Sequence, residues 1–206
     1  MPSPKPAETR QQRKKATFER LVSSAHEQFR ERGIGVTRVT DIAKAASVAH
    51  GTAFSHFPNR EKLVSTVISR YAGQIALRLH DLIAKNPDLE TVLNAHVKGL
   101  SEDEAFYARL VAETPMLSAD ARSTVTGIQS AIASHISTAY RRGVAERRFR
   151  KLPESFVFNL WIGMIHHYLM NRDLFSPKGS VLQEHGASLV RQFVTLLSEI
   201  PKGKTK

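Results

Sequence analysis

The 206-residue sequence contains no cysteine, which excludes disulfide frameworks, thiolate zinc sites and cysteine nucleophiles. It also lacks long apolar runs. The longest apolar stretch, from Phe156 to Met170, is interrupted by Asn159, Gly163 and two histidines, whereas a membrane helix needs roughly 18 apolar residues in succession. No apolar run follows the basic N-terminus, so a secretory signal is not expected either. These absences predict a cytoplasmic protein without a membrane partner.

Acidic residues are few compared with basic ones. The chain has 30 Lys and Arg against 19 Asp and Glu, a formal net charge of +11. Residues 1–62 hold 12 basic and 6 acidic residues, so the other 144 residues hold 18 and 13. A basic excess at one end favours a polyanionic partner, nucleic acid ahead of a membrane surface. The alternative is a basic surface that keeps the protein soluble, and charge alone does not separate the two.

Alternating strand patterns are also missing, and apolar residues recur instead at spacings of three and four. This periodicity predicts an all-α fold of about nine helices. Capping signals predict where some of them begin. Thr37 is expected to cap a short second helix, and Asn59 to cap a long fourth helix that ends before Asn86. Ser101 is expected to open a capping box with Glu104, and Asp88 and Ser180 are expected to open further helices.

Composition and periodicity divide the chain into four parts. Residues 1–14 carry three prolines by position 6 and end in a basic run, which is typical of a flexible arm. Residues 15–62 are expected to form a compact helical head, and residues 63–200 a larger helical body. Residues 201–206 are expected to be a disordered basic tail.

Residues 37–57, TRVTDIAKAASVAHGTAFSHF, predict two short helices joined by a short turn and packed on the first helix, which is a helix-turn-helix. The second of these helices is too short to bury much and leaves polar side chains facing outward. Such a helix suits insertion of its N-terminal end into the major groove of DNA. Periodicity alone fits a plain three-helix core without nucleic acid equally well.

From Gly33 to Val64 the sequence resembles the DNA-binding region of the TetR family of bacterial transcriptional regulators, whose pattern is roughly TTVxDIAxxAGVSxGTxYxHFxxKExL. Ser47 replaces the turn glycine of that pattern, at a position that often needs a positive φ. Ala49 replaces the serine that caps the recognition helix. The matching residues are Thr37, Val39, Asp41, Ile42, Ala43, Ala46, Val48, Gly51, Thr52, His56, Phe57, Glu61 and Leu63.

The resemblance implies a sequence-specific regulator of transcription that binds double-stranded DNA. By the family's usual mode it would be a repressor that a small-molecule effector releases from a palindromic operator. The implied DNA contacts form two sets, of which phosphate contacts set the register and base contacts read the sequence. The phosphate set is Thr37, Arg38, Phe54, His56 and Arg60. The base set is Thr40, His50, Gly51, Thr52 and Ser55.

For the body, the resemblance implies homodimerisation through the last two helices. Independently, the helix that begins near Pro153 is apolar nearly all round, which indicates burial against its own core on one side and a partner subunit on the other. A monomer in which these helices are internal is the alternative. The expected interface consists of Phe158, Ile162, Leu182, Leu189, Val190, Phe193 and Leu197.

The resemblance also implies a pocket for an unknown small-molecule effector. The candidates combine bulky apolar side chains with a few polar groups, as ligand sites do, although the same residues also fit plain core. No cofactor and no metal are expected, because His166 and His167 are adjacent on a helix and point about 100° apart. One of them is expected to be buried and the other exposed. The candidate pocket residues are Phe106, Tyr107, Trp161, Met164, His167 and Met170.

Two other functions are alternatives to regulation of transcription: enzymatic activity and non-specific nucleic-acid binding. Enzymatic activity is not expected, because the sequence has no nucleophile elbow, no phosphate-binding glycine loop and no HExxH zinc pair. Non-specific nucleic-acid binding through the net charge of +11 is the remaining alternative. It predicts a steep salt dependence without sequence preference.

Overall fold

A computed structural model describes residues 9–198, and its regular structure there is helical apart from one isolated bridge between Phe149 and Ser198. The all-α prediction is confirmed. The elements in this range are eleven α-helices and one 3-10 turn at Thr114–Met116. The helices are α1 Arg10–Arg32, α2 Val39–Ala45, α3 His50–His56, α4 Arg60–Tyr71, α5 Gly73–Ile83, α6 Leu89–Ser101, α7 Glu104–Glu113, α8 Ala119–Ala145, α9 Glu154–Met170, α10 Arg172–Phe175 and α11 Val181–Leu197.

Several helices begin at the side chains that the sequence indicates. Asn59 caps α4 by accepting a hydrogen bond from the Lys62 amide at 2.8 Å, and Asp88 caps α6 in the same way. Ser180 caps α11. Each of these side chains satisfies a backbone N–H that has no partner within its own helix.

Thr37 does not cap α2, so that prediction is wrong. The N-cap residue is Arg38, and no side chain makes a capping hydrogen bond there. The Thr37 hydroxyl donates instead to the carbonyl of Gly33 at 2.7 Å and is buried. Thr37 therefore fixes the turn between α1 and α2.

The predicted fourth helix is two helices, α4 and α5, which meet at Ala72. Ala72 itself has helical angles, φ −71° and ψ −35°. The chain therefore does not reverse its direction between α4 and α5. Gly73 follows, and a glycine inside a helix costs about 1 kcal/mol relative to alanine. The break places Ala72 in the wall of an internal cavity.

The predicted capping box between Ser101 and Glu104 is also wrong. Ser101 is the last residue of α6, and its hydroxyl donates to the Lys98 carbonyl at 2.8 Å. Glu104 caps a different helix, α11, because its carboxylate accepts from the amides of Val181 and Leu182 at 3.0 and 2.9 Å. The carboxylate lies at the positive end of the α11 dipole.

The helices share one continuous apolar core, in which α1 joins the head to the body. The inner face of α1 packs on α2 within the head and on α4 and α7 of the body. Arg70 of α4 also binds Glu19 of α1 through two nitrogens. The division at residue 62 therefore stays a prediction, since α1 belongs to both packing units.

The predicted N-terminal arm is only partly covered by the described residues. Residues 10–14 are helical, because α1 begins at Arg10 behind a capping box formed by Thr9 and Gln12. An arm that extends to residue 14 is therefore wrong at its C-terminal end. Residues 1–8 and the predicted tail, 201–206, lie outside the described residues.

None of the helices within residues 9–198 combines the length and the apolar character that a bilayer-spanning helix requires.

Candidate functional site

The turn between α2 and α3 is held by its backbone. The amides of Ser47 and Val48 donate to the carbonyls of Lys44 and Ala43 at 3.1 and 2.9 Å. Ser47 has a φ of +53°, the conformation expected at the glycine position of the pattern. Ala49 is the N-cap of α3 and provides no side-chain acceptor, as its identity implies. The two helices therefore form a helix-turn-helix with a strained turn residue.

The predicted base-contacting residues share one exposed surface. His50, Gly51, Thr52 and Ser55 are exposed on α3, and Thr40 is exposed on α2. Ala53 and Phe57, on the opposite side of α3, are buried. No atom lies within 4 Å of the position that a Cβ of Gly51 would occupy, so another molecule can approach the backbone closely there.

Three of the predicted phosphate-contacting residues lie beside this surface. Arg38 is exposed, and the Phe54 ring is 42% exposed with its centroid 4.9 Å from the His50 ring. His56 is half-buried at the end of α3. Burial lowers the pKa of His56, and the positive charge of Lys14 lowers it further. Both effects favour the neutral form of His56.

The other two predicted phosphate contacts point into the head. Thr37 is 2% exposed, so its side chain is not available to DNA. The Arg60 guanidinium donates to the carbonyls of Thr37 and Ile34 and so holds the α1–α2 turn. Both assignments are corrected to structural roles for these side chains.

Sequence reasoning missed Lys44 as a basic residue of this surface. Lys44 is exposed one turn after Thr40, and residues four apart share a helix face. That spacing could have identified it from the sequence. Lys14 is close enough to lower the pKa of His56, which places the basic start of α1 beside α3.

A cavity of about 210 Å³ lies in the body, and no Asp, Glu, Lys or Arg lines it. Its wall comes from the α4–α5 junction, α6, α7, α8 and α9. The lining residues are Ala72, His96, Leu100, Tyr107, Leu110, Val111, Thr114, Pro115, Val125, Ile128, Gln129, Ile132, Ile162, His166 and Leu169.

Of the six predicted pocket residues, only Tyr107 lines this cavity. Phe106 is buried beneath the rings of His26 and Tyr71, and Trp161 is buried behind His96. Met164 packs against the core without reaching the wall. His167 and Met170 are exposed on the outer side of α9, so all five assignments are corrected.

His96 and Trp161 form a buried polar pair at the wall. Trp161 Nε1–H donates to His96 Nδ1 at 3.1 Å. Burial, with a smaller contribution from nearby His166, lowers the pKa of His96 to about 4. Burial also lowers the pKa of His166, so both histidines are neutral at pH 7. The prediction of one inward and one exposed histidine at 166 and 167 agrees with this placement.

Helix α7 lies between the cavity and the head. Tyr107, Leu110, Val111 and Thr114 line the cavity from one side of the helix and its C-terminal end. The residues at its two ends, the N-cap Asp103 and the last residue Glu113, meet the head. Asp103 Oδ2 hydrogen-bonds His26 Nε2 at 2.5 Å, and Glu113 accepts from the Gly35 amide at 2.5 Å. Helix α7 therefore contacts both the cavity and the DNA-facing unit.

The α11 residues predicted for the dimer interface face the core of the single chain. These five residues are 0–3% exposed in the single chain and so have no surface to offer a partner: Leu182, Leu189, Val190, Phe193 and Leu197. Phe158 and Ile162 are half-buried, and Ile162 lines the cavity. Sequence reasoning missed a second apolar row on α9 and α10, spaced at three and four. This α9 stripe consists of Phe156, Leu160, Gly163, His167, Met170 and Leu174, all exposed.

A helix-turn-helix that exposes polar side chains on its second helix beside basic residues defines a class of DNA-binding proteins. Residues 21–67 match the family model described as "Bacterial regulatory proteins, tetR family". The matched residues run from α1 into α4 and include the whole helix-turn-helix.

Two curated relatives match the N-terminal part of the chain. HTH-type transcriptional regulator LuxR of Vibrio harveyi is 34% identical over 89 residues, which are 41% of this chain and 43% of LuxR. HTH-type transcriptional repressor KstR2 of Rhodococcus jostii RHA1 is 30% identical over 77 residues, 37% of this chain and 38% of KstR2. The chain thus spans about two fifths of the length of these relatives.

A solved structure covers the body as well. The transcriptional regulator FadR from Bacillus subtilis, in complex with stearoyl-CoA, superposes with a TM-score of 0.74 at 19% sequence identity. The match covers 86% of this chain and 98% of FadR, and it shows a common fold.

Proposed function

We propose that this protein is a transcriptional regulator that binds a specific double-stranded DNA sequence, acts as a repressor, and is released by a small molecule. The observation that carries the proposal is the exposed surface of α3, where Gly51 allows close approach and His50 and Thr52 supply polar groups for base edges. The match of residues 21–67 to the tetR family model supports the same function.

Within this function, His50 reads bases and Arg38 binds phosphate. His50 is exposed in the first turn of α3, the end of a recognition helix that meets the base edges. Arg38 is exposed at the start of α2, outside that helix. Arg60 supports DNA binding indirectly, because it holds the turn that places Arg38.

Duplex binding measured at several salt concentrations tests this division. We expect His50→Ala to cost about 1–3 kcal/mol on the preferred sequence and to relax preference at one base pair. We expect Arg38→Ala to weaken all duplexes alike and to reduce the salt slope by about 1. Lys85→Ala, an exposed lysine of the body, is the control and should change neither. A uniform loss in His50→Ala would contradict base reading and favour binding through charge alone.

A homodimer on a palindromic operator fits the α9 stripe. Phe156 is 52% exposed and Leu160 42%, and an apolar row of this kind on a single chain is typical of an interaction surface. Two chains paired through a two-fold axis present two α3 helices to half-sites about 34–36 Å apart.

Release by an effector would pass through α7. A ligand that prefers one arrangement of the cavity shifts the population toward that arrangement. The wall residues and the head contacts of α7 belong to one rigid helix, so a shift of the helix also moves Asp103 against His26. The DNA-facing helices follow through α1.

This route is tested on compounds that calorimetry shows to bind the protein. In Asp103→Asn we expect such a compound to bind with unchanged affinity, since Asp103 is not in the cavity wall, but to release less DNA. Glu102→Gln, at the exposed neighbouring position, is the control. Release from Asp103→Asn equal to that from the unaltered protein would exclude this contact from the route.

A further inference from the structure

The cavity wall is electrically neutral at pH 7. It contains no acidic or basic side chain other than two histidines, and the pKa values of both are lowered by burial. A charged ligand would give up its hydration on entering and would meet no counter-charge, which costs several kcal/mol. The chemistry of the wall therefore selects against carboxylates, phosphates and ammonium groups.

One polar group of the wall has a defined direction. Trp161 Nε1–H is only a donor, so His96 Nδ1 must be the acceptor in their hydrogen bond. Because His96 is neutral, its single ring proton is on Nε2, on the other side of the ring from Trp161. No hydrogen-bond acceptor for this Nε2–H occurs within residues 9–198, although His96 is 1% exposed and lines the cavity. An N–H of a cavity-lining residue that has no protein acceptor favours a ligand that brings one.

The remainder of the wall is mainly hydrocarbon, and the volume of the cavity limits the size of the ligand. An apolar cavity of about 150 Å³ holds one benzene molecule. The cavity here, about 210 Å³, takes a ligand of roughly eight or nine non-hydrogen atoms on that scale. Exposed Pro115 is part of the wall and marks the side where the cavity reaches the surface.

We propose that the cavity takes a neutral, mainly apolar molecule of roughly eight or nine non-hydrogen atoms, whose carbonyl or ether oxygen accepts a hydrogen bond from His96 Nε2–H. This ligand class rests on the proposed function for its role as the effector. Gln129 and His166 offer further polar contacts beside the acceptor. Hydrocarbon surfaces of the ligand pack against leucine, isoleucine and valine side chains of α6, α7, α8 and α9.

Four probes of nearly equal size and different chemistry test the proposal. They are acetophenone, which is neutral with a carbonyl acceptor, cumene, which has no acceptor, benzoate, which is anionic, and 1-phenylethylamine, which is cationic. Their dissociation constants for the full chain at pH 7.5 are measured by ligand-observed NMR. We expect acetophenone to bind about fivefold more tightly than cumene, which is the effect of one hydrogen bond. We expect both charged probes to bind more weakly than cumene.

Replacing the donor isolates the role of His96. In His96→Phe we expect acetophenone and cumene to bind equally, and comparing two ligands on one variant cancels any general change in the cavity. Gln129→Leu is a second variant that keeps His96 and should retain most of the preference for acetophenone. His80→Ala removes an exposed histidine that is not in the wall and is the control. Tighter binding of a charged probe, binding of none of the four, or an unchanged acetophenone preference in His96→Phe would overturn the proposal.

A separate measurement distinguishes failure of the proposed ligand class from failure of the proposed regulatory function. The unaltered protein is also tested for sequence-specific duplex binding without any probe. A protein that selects a DNA sequence but fails the probe test loses only the ligand class. A protein that binds the probes as expected but selects no DNA sequence retains the ligand site and loses the regulatory function.

Discussion

Protonation of His96 makes the stability of the folded chain depend on pH. Its folded pKa is about 4 because it is buried, whereas an unperturbed histidine has a pKa of about 6.5. Between these two values the unfolded chain binds a proton that the folded chain does not. The stability due to neutral His96 is therefore complete above pH 6.5 and falls as the pH drops toward 4.

This difference predicts a pH-dependent free energy of unfolding. Below pH 6 we expect urea unfolding to give a slope of up to about 1.4 kcal/mol per pH unit from His96. The slope should be smaller in His96→Phe, in which the other depressed histidines, His56, His135 and His166, are unchanged. Equal slopes in the two proteins would show that His96 is not held neutral in the folded state.

Ser47 holds a turn conformation that suits glycine better. Its φ is +53°, and a side chain with a Cβ is strained there. We expect Ser47→Gly to raise the free energy of unfolding by about 1 kcal/mol, measured by urea titration. Ser47→Ala retains the Cβ and serves as the control, with little change expected. Destabilisation by glycine at this position would contradict strain as the explanation.

Among the helices, α11 depends on a residue of another helix for its start. Glu104 of α7 accepts from two α11 amides and from the Ser180 hydroxyl, and it is 9% exposed. We expect Glu104→Gln to lower the free energy of unfolding by about 1–3 kcal/mol, through lost charge-assisted hydrogen bonds and the helix dipole.

Glu102 provides the matched control for that substitution. It lies two residues earlier and pairs with Arg78 on the surface, where an ion pair contributes little. Glu102→Gln should therefore change the unfolding midpoint much less than Glu104→Gln. Equal losses in the two variants would refute the capping role of Glu104.

Helix starts could be predicted from the sequence where the capping side chain is local. Asn59, Asp88 and Ser180 act on amides three residues ahead, so spacing alone identifies them. Glu104 acts on a residue 77 positions away, and no local pattern contains that information. For that reason the sequence pattern predicts a capping role for Glu104 only at the start of its own helix.

For the whole molecule, the exposed surface of α3 could be predicted from the sequence, whereas the lining of the cavity and the exposed row of α9 could not. The surface of α3 follows from the period of one short helix and from the family resemblance. In the body, α9 is apolar nearly all round, and periodicity does not say which side meets the core, the cavity or a partner. Within α9, Trp161 is buried in the core, Ile162 lies at the cavity wall and Leu160 is exposed.

We expect two chains to pair through the α9 stripe. A single charge introduced into the stripe should dissociate them. Leu160 is 42% exposed in the single chain, so Leu160→Glu should leave its fold intact and place a charge inside the interface. We expect the unaltered protein to sediment as a dimer and the variant as a monomer at micromolar concentration. Leu77→Glu, at an exposed leucine of α5 outside the stripe, is the control and should remain dimeric. A dimeric Leu160→Glu would move the interface elsewhere.

The central claim is that this chain reads a DNA sequence as a two-fold assembly. The most direct test is selection of bound duplexes from a random pool at near-physiological salt, followed by sequencing of the retained DNA. We expect a palindromic consensus with half-sites one helical turn apart, about 34–36 Å. Retention of DNA without any consensus would contradict the claim and leave binding through charge as the function of the head.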